Sequence, residues 1–222
     1  MSDEIASRLA RLDACAISDS LDQLGLPLSV TGLLALSVRR RISGRVLTVR
    51  LAPGQSESGF SPRHLCTAAV DAAETGAVIV VEQRTGIECA GWGGILSNAA
   101  HQRGVSGVIV EGLLRDVDEA VDIGFPAYGR GATARTARGR IHEAETGGRV
   151  SIGDVTVNHG DYVVADSSGV AFIPADRAED VITAAERIAT KERAMLEALT
   201  ANRPVSDVMG AGYEHLLASP RS

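Results

Sequence analysis

Lysine is all but missing from this 222-residue chain: Lys191, in Thr190-Lys191-Glu192-Arg193, is the only one, and every other cationic side chain is arginine. Schiff-base chemistry needs a desolvated lysine, and a lone lysine among charged neighbours is a poor candidate for it. Cysteines number three (Cys15, Cys66 and Cys89), an odd count without a CxxC pair. That argues against both a disulfide framework and a thiolate zinc site, and fits reduced thiols in a cytoplasm. Aromatics are 3% of residues, so the core has to be built from Ala, Val, Ile and Leu. No apolar run approaches the roughly 18 residues of a membrane span. The start, MSDEIASRLARLDA, is acidic and amphipathic, unlike the basic and then apolar start of a signal peptide. There is no G-x-S-x-G elbow, and His64, His101, His142, His159 and His215 lack an HExxH spacing. His64 near Cys66 reads as packing rather than ligation.

What is present is 45% hydrophobic residues and 24 glycines, a composition that suits a globular α/β protein. The length allows one domain with a full core, residues 1–222, and falls short of two ordinary ones. Acidic residues outnumber basic ones, 28 to 22, for a net charge of −6. That balance gives no general attraction to nucleic acid or to an anionic membrane surface.

Along the chain, Ile5, Leu9, Leu12, Ile17, Leu21 and Leu24 recur at helical spacing, and Ser18-Asp19 reads as a cap between two short helices. Gly44 to Arg50 alternates as a strand, with Val46, Thr48 and Arg50 on one face and Leu47 and Val49 on the other. A loop opens at Pro53-Gly54 and runs to about Phe60. Residues 62–74 begin with proline, are rich in alanine and stop at Thr75-Gly76, which predicts a helix. Ala77 to Val81 reads as a buried strand, leading into Cys89-Ala90-Gly91-Trp92-Gly93-Gly94 and then a helix over Ile95 to Arg103. Gly107 to Glu111 is the next strand, with Arg115-Asp116 beyond its carboxyl end. Segments at 125–128, 149–152, 155–157, 162–165 and 170–173 read as a small antiparallel layer, followed by a long amphipathic helix from Ala175 to about Ala201 and a short polar tail.

Two buried strands separated by a helix imply a right-handed parallel crossover, so the loops after both strands open on one edge of the sheet, where ligands sit in such folds. On that edge lie a Gly-rich turn at a helix start and an Arg-Asp pair. Unpaired helix-start N–H groups favour a carboxylate near Gly93, Gly94, Ile95 and Leu96. Asp116 supplies a hard oxygen suited to Mg²⁺ or Mn²⁺, and Arg115 adds fixed positive charge. Together they suit a small 2-oxo acid whose carboxylate and keto oxygens chelate the metal, with Arg115 stabilising the enolate that forms as a C–C bond breaks. An Arg-Asp dipeptide is also a common surface ion pair or helix cap, and Gly91 to Gly94 alone is a common turn.

Most of the chain resembles the RraA-like proteins, which include the class II 4-hydroxy-4-methyl-2-oxoglutarate aldolases and the regulator of ribonuclease E activity. The resemblance is carried by Ser18-Asp19-Ser20-Leu21-Asp22, Gly44-Arg45-Val46, Gly107 through Asp116, Gly124-Phe125-Pro126, and Gly160 through Val170. It implies a mixed β/β/α single domain of the swivelling type, with a parallel crossover unit, an antiparallel β layer and a long C-terminal helix. It implies a divalent-metal-dependent lyase that cleaves such 2-oxo acids to pyruvate or decarboxylates oxaloacetate. Asp116 would be the metal residue and Arg115 the substrate contact, in a homotrimer or dimer of trimers with sites at subunit boundaries.

In the aldolases an acid precedes the Arg-Asp pair by twenty intervening positions, and here that count reaches Gly94. Glu88, or Glu82, is a substitute through water or a solvated residue. Glu119, one helical turn beyond Asp116, matches a further acidic position of the family and either orients the metal site or caps a short helix. The alternative is a non-enzymatic regulator that binds a ribonuclease or another protein. Such regulators tend to lose the metal-binding Asp, so Asp116 leans the reading toward catalysis. Arg39, Arg40, Arg41 and Arg130 would then serve an acidic partner or be solvated, while Arg135, Arg138 and Arg140 have a dianionic substrate as a further option.

Overall fold

The computed structural model describes residues 4–55 and 64–210. Helices α1 (Glu4–Leu9) and α2 (Ala14–Gln23) come first, then the two-residue strands β1 (Ser29–Val30) and β2 (Leu34–Ala35) and the long strand β3 (Ile42–Pro53). An alternating stretch follows: α3 (Thr67–Ala72), β4 (Val78–Glu82), β5 (Ala90–Trp92), α4 (Gly94–Gln102), β6 (Gly107–Leu114), α5 (Val117–Asp122) and β7 (Ala127–Ala132). The remainder holds β8 (Ile141–Thr146), the hairpin of β9 (Val150–Ile152) and β10 (Val155–Val157), and the hairpin of β11 (Tyr162–Asp166) and β12 (Gly169–Ile173). Helices α6 (Ala178–Thr200) and α7 (Val205–Val208) complete the order.

Strand β3 ties two pairing systems together. Its first residues, Ile42 to Arg45, pair antiparallel with β11, which carries β12 and then β1. Val46 to Arg50 pair parallel with β4, and β4, β6 and β7 continue the parallel set. Successive side chains on a strand point to opposite faces, and the sequence uses that period. Val46, Val78, Val80 and Ile109 pack towards the β layer with Val155, Val163 and Phe172. Leu47, Val49, Ile79, Val81, Val108 and Val110 pack the other way, with Val70 of α3 and with Leu96 and Ala100 of α4. A third cluster docks Leu9, Ile17 and Leu21 and the α6 stripe Val181, Ile182, Ala185 and Ile188 onto Val164, Ala171 and Ile173. The result is the expected mixed α/β architecture with a parallel crossover, an antiparallel layer and a long C-terminal helix. No helix among the described residues is long and apolar enough to cross a membrane.

Several expectations give way. The break between the first helices falls at Asp13, whose carboxylate accepts from the Ala16 N–H at 2.8 Å; Ser18 and Asp19 lie inside α2. Asp13 is the residue whose side chain reaches the orphan first-turn donors, which is what a cap requires. The segment at Phe125 to Tyr128 was expected in the antiparallel layer, but β7 runs parallel to β6. The short α5 is a crossover that returns the chain in the same direction. The helix predicted over 62–74 is seen over Thr67–Ala72, preceded by Cys66 in the left-handed region at φ 64°. Pro53, where the loop was expected to open, ends β3; residues 56–60 of that loop, Pro62, His215 and the polar tail beyond Gly210 lie outside the described residues. Strands β1, β2, β5 and β8 and the short helix α7 were not anticipated.

Candidate active site

The parallel strands β4 and β6 send their carboxyl ends to one edge, as the crossover requires. There the turn into α4 is tied to the turn into α5 by the Arg115 N–H, which donates to Trp92 O at 3.1 Å, while the Thr133 N–H donates to Leu114 O at 2.8 Å and ties the end of β7 to the end of β6. The buried Trp92 donates its indole N–H to Ser97 Oγ at 2.9 Å, which fixes the Gly-rich turn to the first turn of α4. Asp116 adopts φ 57°, ψ 40°, a left-handed conformation that Asp tolerates better than most side chains. It reverses the chain sharply between β6 and α5.

That reversal sets Asp116 beside the start of α4. Its Oδ2 accepts from the Gly94 N–H at 3.0 Å and from Arg115 Nε at 3.1 Å. Oδ1 accepts no hydrogen bond from the described residues. Both side chains remain partly open to solvent, Arg115 at 40% and Asp116 at 37%. Gly93 leaves room for this closeness, because a Cβ there would lie 3.0 Å from Asp116 Oδ2 and 3.1 Å from Arg115 Cγ, and those side chains would have to give way.

The pair opens into a cleft of about 220 Å³. Gly93, Gly94, Ile95 and Leu96 line it, so the predicted substrate-binding residues are brought together with Arg115 and Asp116. His64, Thr67, Thr136 and Arg138 line it as well. One part of the expectation changes in detail: the Gly94 N–H, offered above as a donor for a ligand, is taken by Asp116. The N–H groups of Ile95 and Leu96 belong to the same first turn, whose donors have no intrahelical acceptor.

The other acids separate by position. Glu119 turns toward Gly94, with its Oε1 accepting from Asn98 Nδ2 at 2.7 Å. Glu88 sits outside the cleft lining, exposed and paired with Arg135 at 3.0 Å. Glu82 accepts from the Ser151 N–H at 2.7 Å, and Glu111 from Arg130 and the Gly153 N–H, so these two hold the β9–β10 hairpin. Arg40 and Arg41 donate to the backbone oxygens of Gly124 and Leu12, and Arg140 to that of Thr136. Of the arginines weighed for a dianionic substrate, Arg138 alone lines the cleft. Thr67, Thr136 and Asn98 were missed; for Asn98 the available signal was its position one helical turn after Gly94.

Two nucleophiles can be placed. Burial, and then the nearby Glu143 charge, pushes the Cys66 thiol well above its ordinary value, so it stays protonated. Burial lowers the Lys191 amine, whose Nζ has no hydrogen-bond partner among the described residues. Lys191 lines a shallow depression on α6 that shares no residue with the cleft.

As for a metal, no group of three or more His, Cys, Asp or Glu side chains that could hold one lies among the described residues. The carboxylate that lines the cleft is that of Asp116; Glu119 does not line it but lies close by, against Gly94. Hard oxygens in that number fit Mg²⁺ or Mn²⁺, ions that keep several waters and take one or two protein carboxylates.

The model of the RraA-like family, described as Aldolase/RraA, matches residues 14–172. Protein DlpA of Legionella pneumophila is 29% identical over 85% of this chain, and the chain spans only 31% of DlpA's length. A protein of Halalkalibacterium halodurans named "Putative 4-hydroxy-4-methyl-2-oxoglutarate aldolase" is 26% identical over 90% of both chains. An uncharacterized protein from Pseudomonas syringae pv. tomato has the same fold, with a TM-score of 0.84 at 24% identity over 95% of this chain and 98% of that one.

Proposed function

The chain belongs to the RraA-like family, and from that premise we propose that it is a divalent-metal-dependent carbon–carbon lyase. Its substrates are small 2-oxo acids of the 4-hydroxy-4-methyl-2-oxoglutarate type, cleaved to pyruvate, with oxaloacetate decarboxylation as the related reaction. The observation that carries the reading is Asp116: a carboxylate fixed by the Gly94 N–H and Arg115 Nε through one oxygen, with the other unengaged at the cleft.

A bound Mg²⁺ or Mn²⁺ would supply Lewis acidity toward the carboxylate and keto oxygens of the substrate. Arg115 places a permanent cation beside the same oxygens, where negative charge accumulates as the bond between C3 and C4 breaks and its electron pair passes to the pyruvate fragment. The first-turn N–H groups of Ile95 and Leu96 offer donors to a substrate carboxylate. Arg138, also in the cleft lining, suits a second anionic group. Lysine chemistry is not needed, in keeping with the placement of Lys191 away from the cleft.

The test is pyruvate release from 4-hydroxy-4-methyl-2-oxoglutarate and from oxaloacetate, with Mg²⁺ or Mn²⁺ and with chelator. Release that depends on metal and is lost in Asp116→Asn is the expected result. Asparagine suits this position because it also tolerates the left-handed conformation. Turnover unaffected by chelator, or undiminished in Asp116→Asn, overturns the proposal.

A further inference from the structure

Strand β8 pairs with β3 in a shifted register, with Glu145 opposite Arg50 but Glu143 opposite Leu51. Cross-strand partners share a face, and consecutive residues of β3 point to opposite faces. The shift therefore turns Glu143 away from Glu145, which pairs with Arg50 at 3.0 Å, and towards the apolar cluster that holds Leu51, Leu65 and Cys66. A carboxylate placed there costs free energy unless it is hydrogen-bonded. Its Oε2 accepts from the Cys66 N–H and its Oε1 from the Thr146 hydroxyl. Glu143 is not part of the cleft lining, whereas His64, Leu65 and Thr67 are. We propose that Glu143 is a positioning residue: from outside the cleft, through the Cys66 N–H, it holds His64 to Thr67 in the shape that lines the substrate site. The inference rests on the cleft being the site of the reaction proposed above, and adds to it a residue that does not touch substrate.

Cys66 is the corner of that segment. At φ 64°, ψ 0° it is left-handed, a conformation that costs free energy in a residue with a Cβ and lasts only where the surroundings hold it. Its side chain is buried, with Sγ 3.7 Å from the carbonyl oxygen of Gly91, which lies between the lining residues Ala90 and Trp92. Its own carbonyl accepts from the Val70 N–H at 3.1 Å as α3 begins. Its N–H is bound by a carboxylate, the stronger kind of hydrogen bond. With Cys66 pinned inward, its neighbours reach the cleft, and Thr67 closes the turn by donating its hydroxyl to His64 O at 2.7 Å. Were the N–H released, the corner could relax to a commoner backbone conformation, and His64 and Thr67 would leave their places together.

Steady-state kinetics of pyruvate release separate this role from a merely structural one. A smaller folded fraction lowers kcat per chain and leaves KM unchanged, whereas displaced binding groups raise KM. Glu143→Met keeps the bulk and removes the acceptor. It should lower kcat/KM by about 10–100-fold, the scale of a displacement of about 1 Å, chiefly through KM, because Arg115 and Asp116 are untouched. Glu143→Gln should restore most of the loss, since its amide oxygen accepts from the Cys66 N–H and its amide nitrogen donates to Thr146. In a Cys66→Gly background Glu143→Met should cost much less, because glycine adopts the left-handed conformation unaided; in Cys66→Ala, which keeps the Cβ, it should cost as much as in the parent. Without turnover, the NMR ring signal of His64, assigned by its loss in His64→Gln, should move in Glu143→Met and return in Glu143→Gln.

A parental KM in Glu143→Met, a fall in kcat alone, an equal loss in Glu143→Gln, or no relief from Cys66→Gly each overturns this inference and leaves the lyase reading standing. No pyruvate from the unmodified protein with either metal brings down the lyase reading. The His64 signal then decides the inference by itself, since a signal that stays in place in Glu143→Met means that Glu143 does not position this segment. Should Glu143→Met fail to fold, Glu143→Asp takes its place with the same expectations, because the shorter side chain keeps the charge and withdraws the acceptor from the Cys66 N–H.

Discussion

Arg115 and Asp116 are joined by an ion pair at 3.1 Å whose partners are each more than a third exposed. An exposed pair of this kind stabilises a fold by about 0–1 kcal/mol, which in a chain of this size corresponds to a melting shift of less than about 4 °C. Removing a group that stabilises charge in a transition state costs on the order of 10²–10³ in turnover. Arg115→Ala is therefore expected to lower turnover by about that factor while the melting temperature hardly moves. Parallel loss of both, by steady-state kinetics and calorimetry, would make the guanidinium structural. These two residues were legible in the sequence because a buried strand, a glycine-rich helix start and a second buried strand dictate where the chain must emerge. The Glu119–Gly94 contact was not, since it joins residues far apart in sequence and one of them contributes only an absence. The same holds for Glu88: its pairing with Arg135 follows from how two loops lie, which no spacing in the chain encodes.

At the scale of elements, α6 docks through Val181, Ile182, Ala185 and Ile188, and burying side chains of the Val or Ile kind contributes about 1.5–3 kcal/mol each. The apolar stripe thus decides that α6 packs, and it was visible as periodicity. What fixes α1 against it was not visible. Arg8 forks onto both oxygens of Glu186, at 2.9 and 2.8 Å, and reaches Glu179 at 2.7 Å. These bonds to Arg8 hold the Glu186 and Glu179 carboxyls below the usual carboxylate range. A lowered folded-state value gives stability that is present above the unfolded value, about 4.3 for Glu, and is lost as pH falls through the lowered one. Arg8→Met, which keeps the apolar stem, should melt about 2–4 °C lower at neutral pH, the glutamates being largely solvent-screened. The gap to the parent should begin to narrow below the unfolded value of about 4.3 and vanish only once pH has fallen through the lowered folded-state values, and a gap that persists where both glutamates are protonated would assign it to packing. Elements without a period signal were misread for similar reasons. The β8 sequence, Ile-His-Glu-Ala-Glu-Thr, buries only Ile141 and pairs with β3 across a register shift, so it shows no clean alternation. The direction of β7 depends on the six-residue α5, too short to announce itself as a crossover.

For the whole molecule the telling residue is Ile95, 85% exposed in a single chain although it lines the cleft at the start of α4. Val121 of the neighbouring α5 is also exposed, at 45%. Isolated apolar residues on a surface need no explanation, but a large aliphatic side chain in the lining of the cleft leaves apolar surface in water unless something covers it. The resemblance implies subunit boundaries at the sites, and a homotrimer or a dimer of trimers would provide that cover. Native mass spectrometry should therefore give three or six times the chain mass of 23.1 kDa. Ile95→Glu forfeits burial worth about 1.5–3 kcal/mol per boundary and places a carboxylate where an apolar surface is expected. The variant should dissociate toward single chains, and its turnover should fall with the oligomer fraction as protein is diluted. Single chains that keep full turnover would show that one subunit holds a complete site; an Ile95→Glu oligomer of parental mass would put the contact on another face of the molecule.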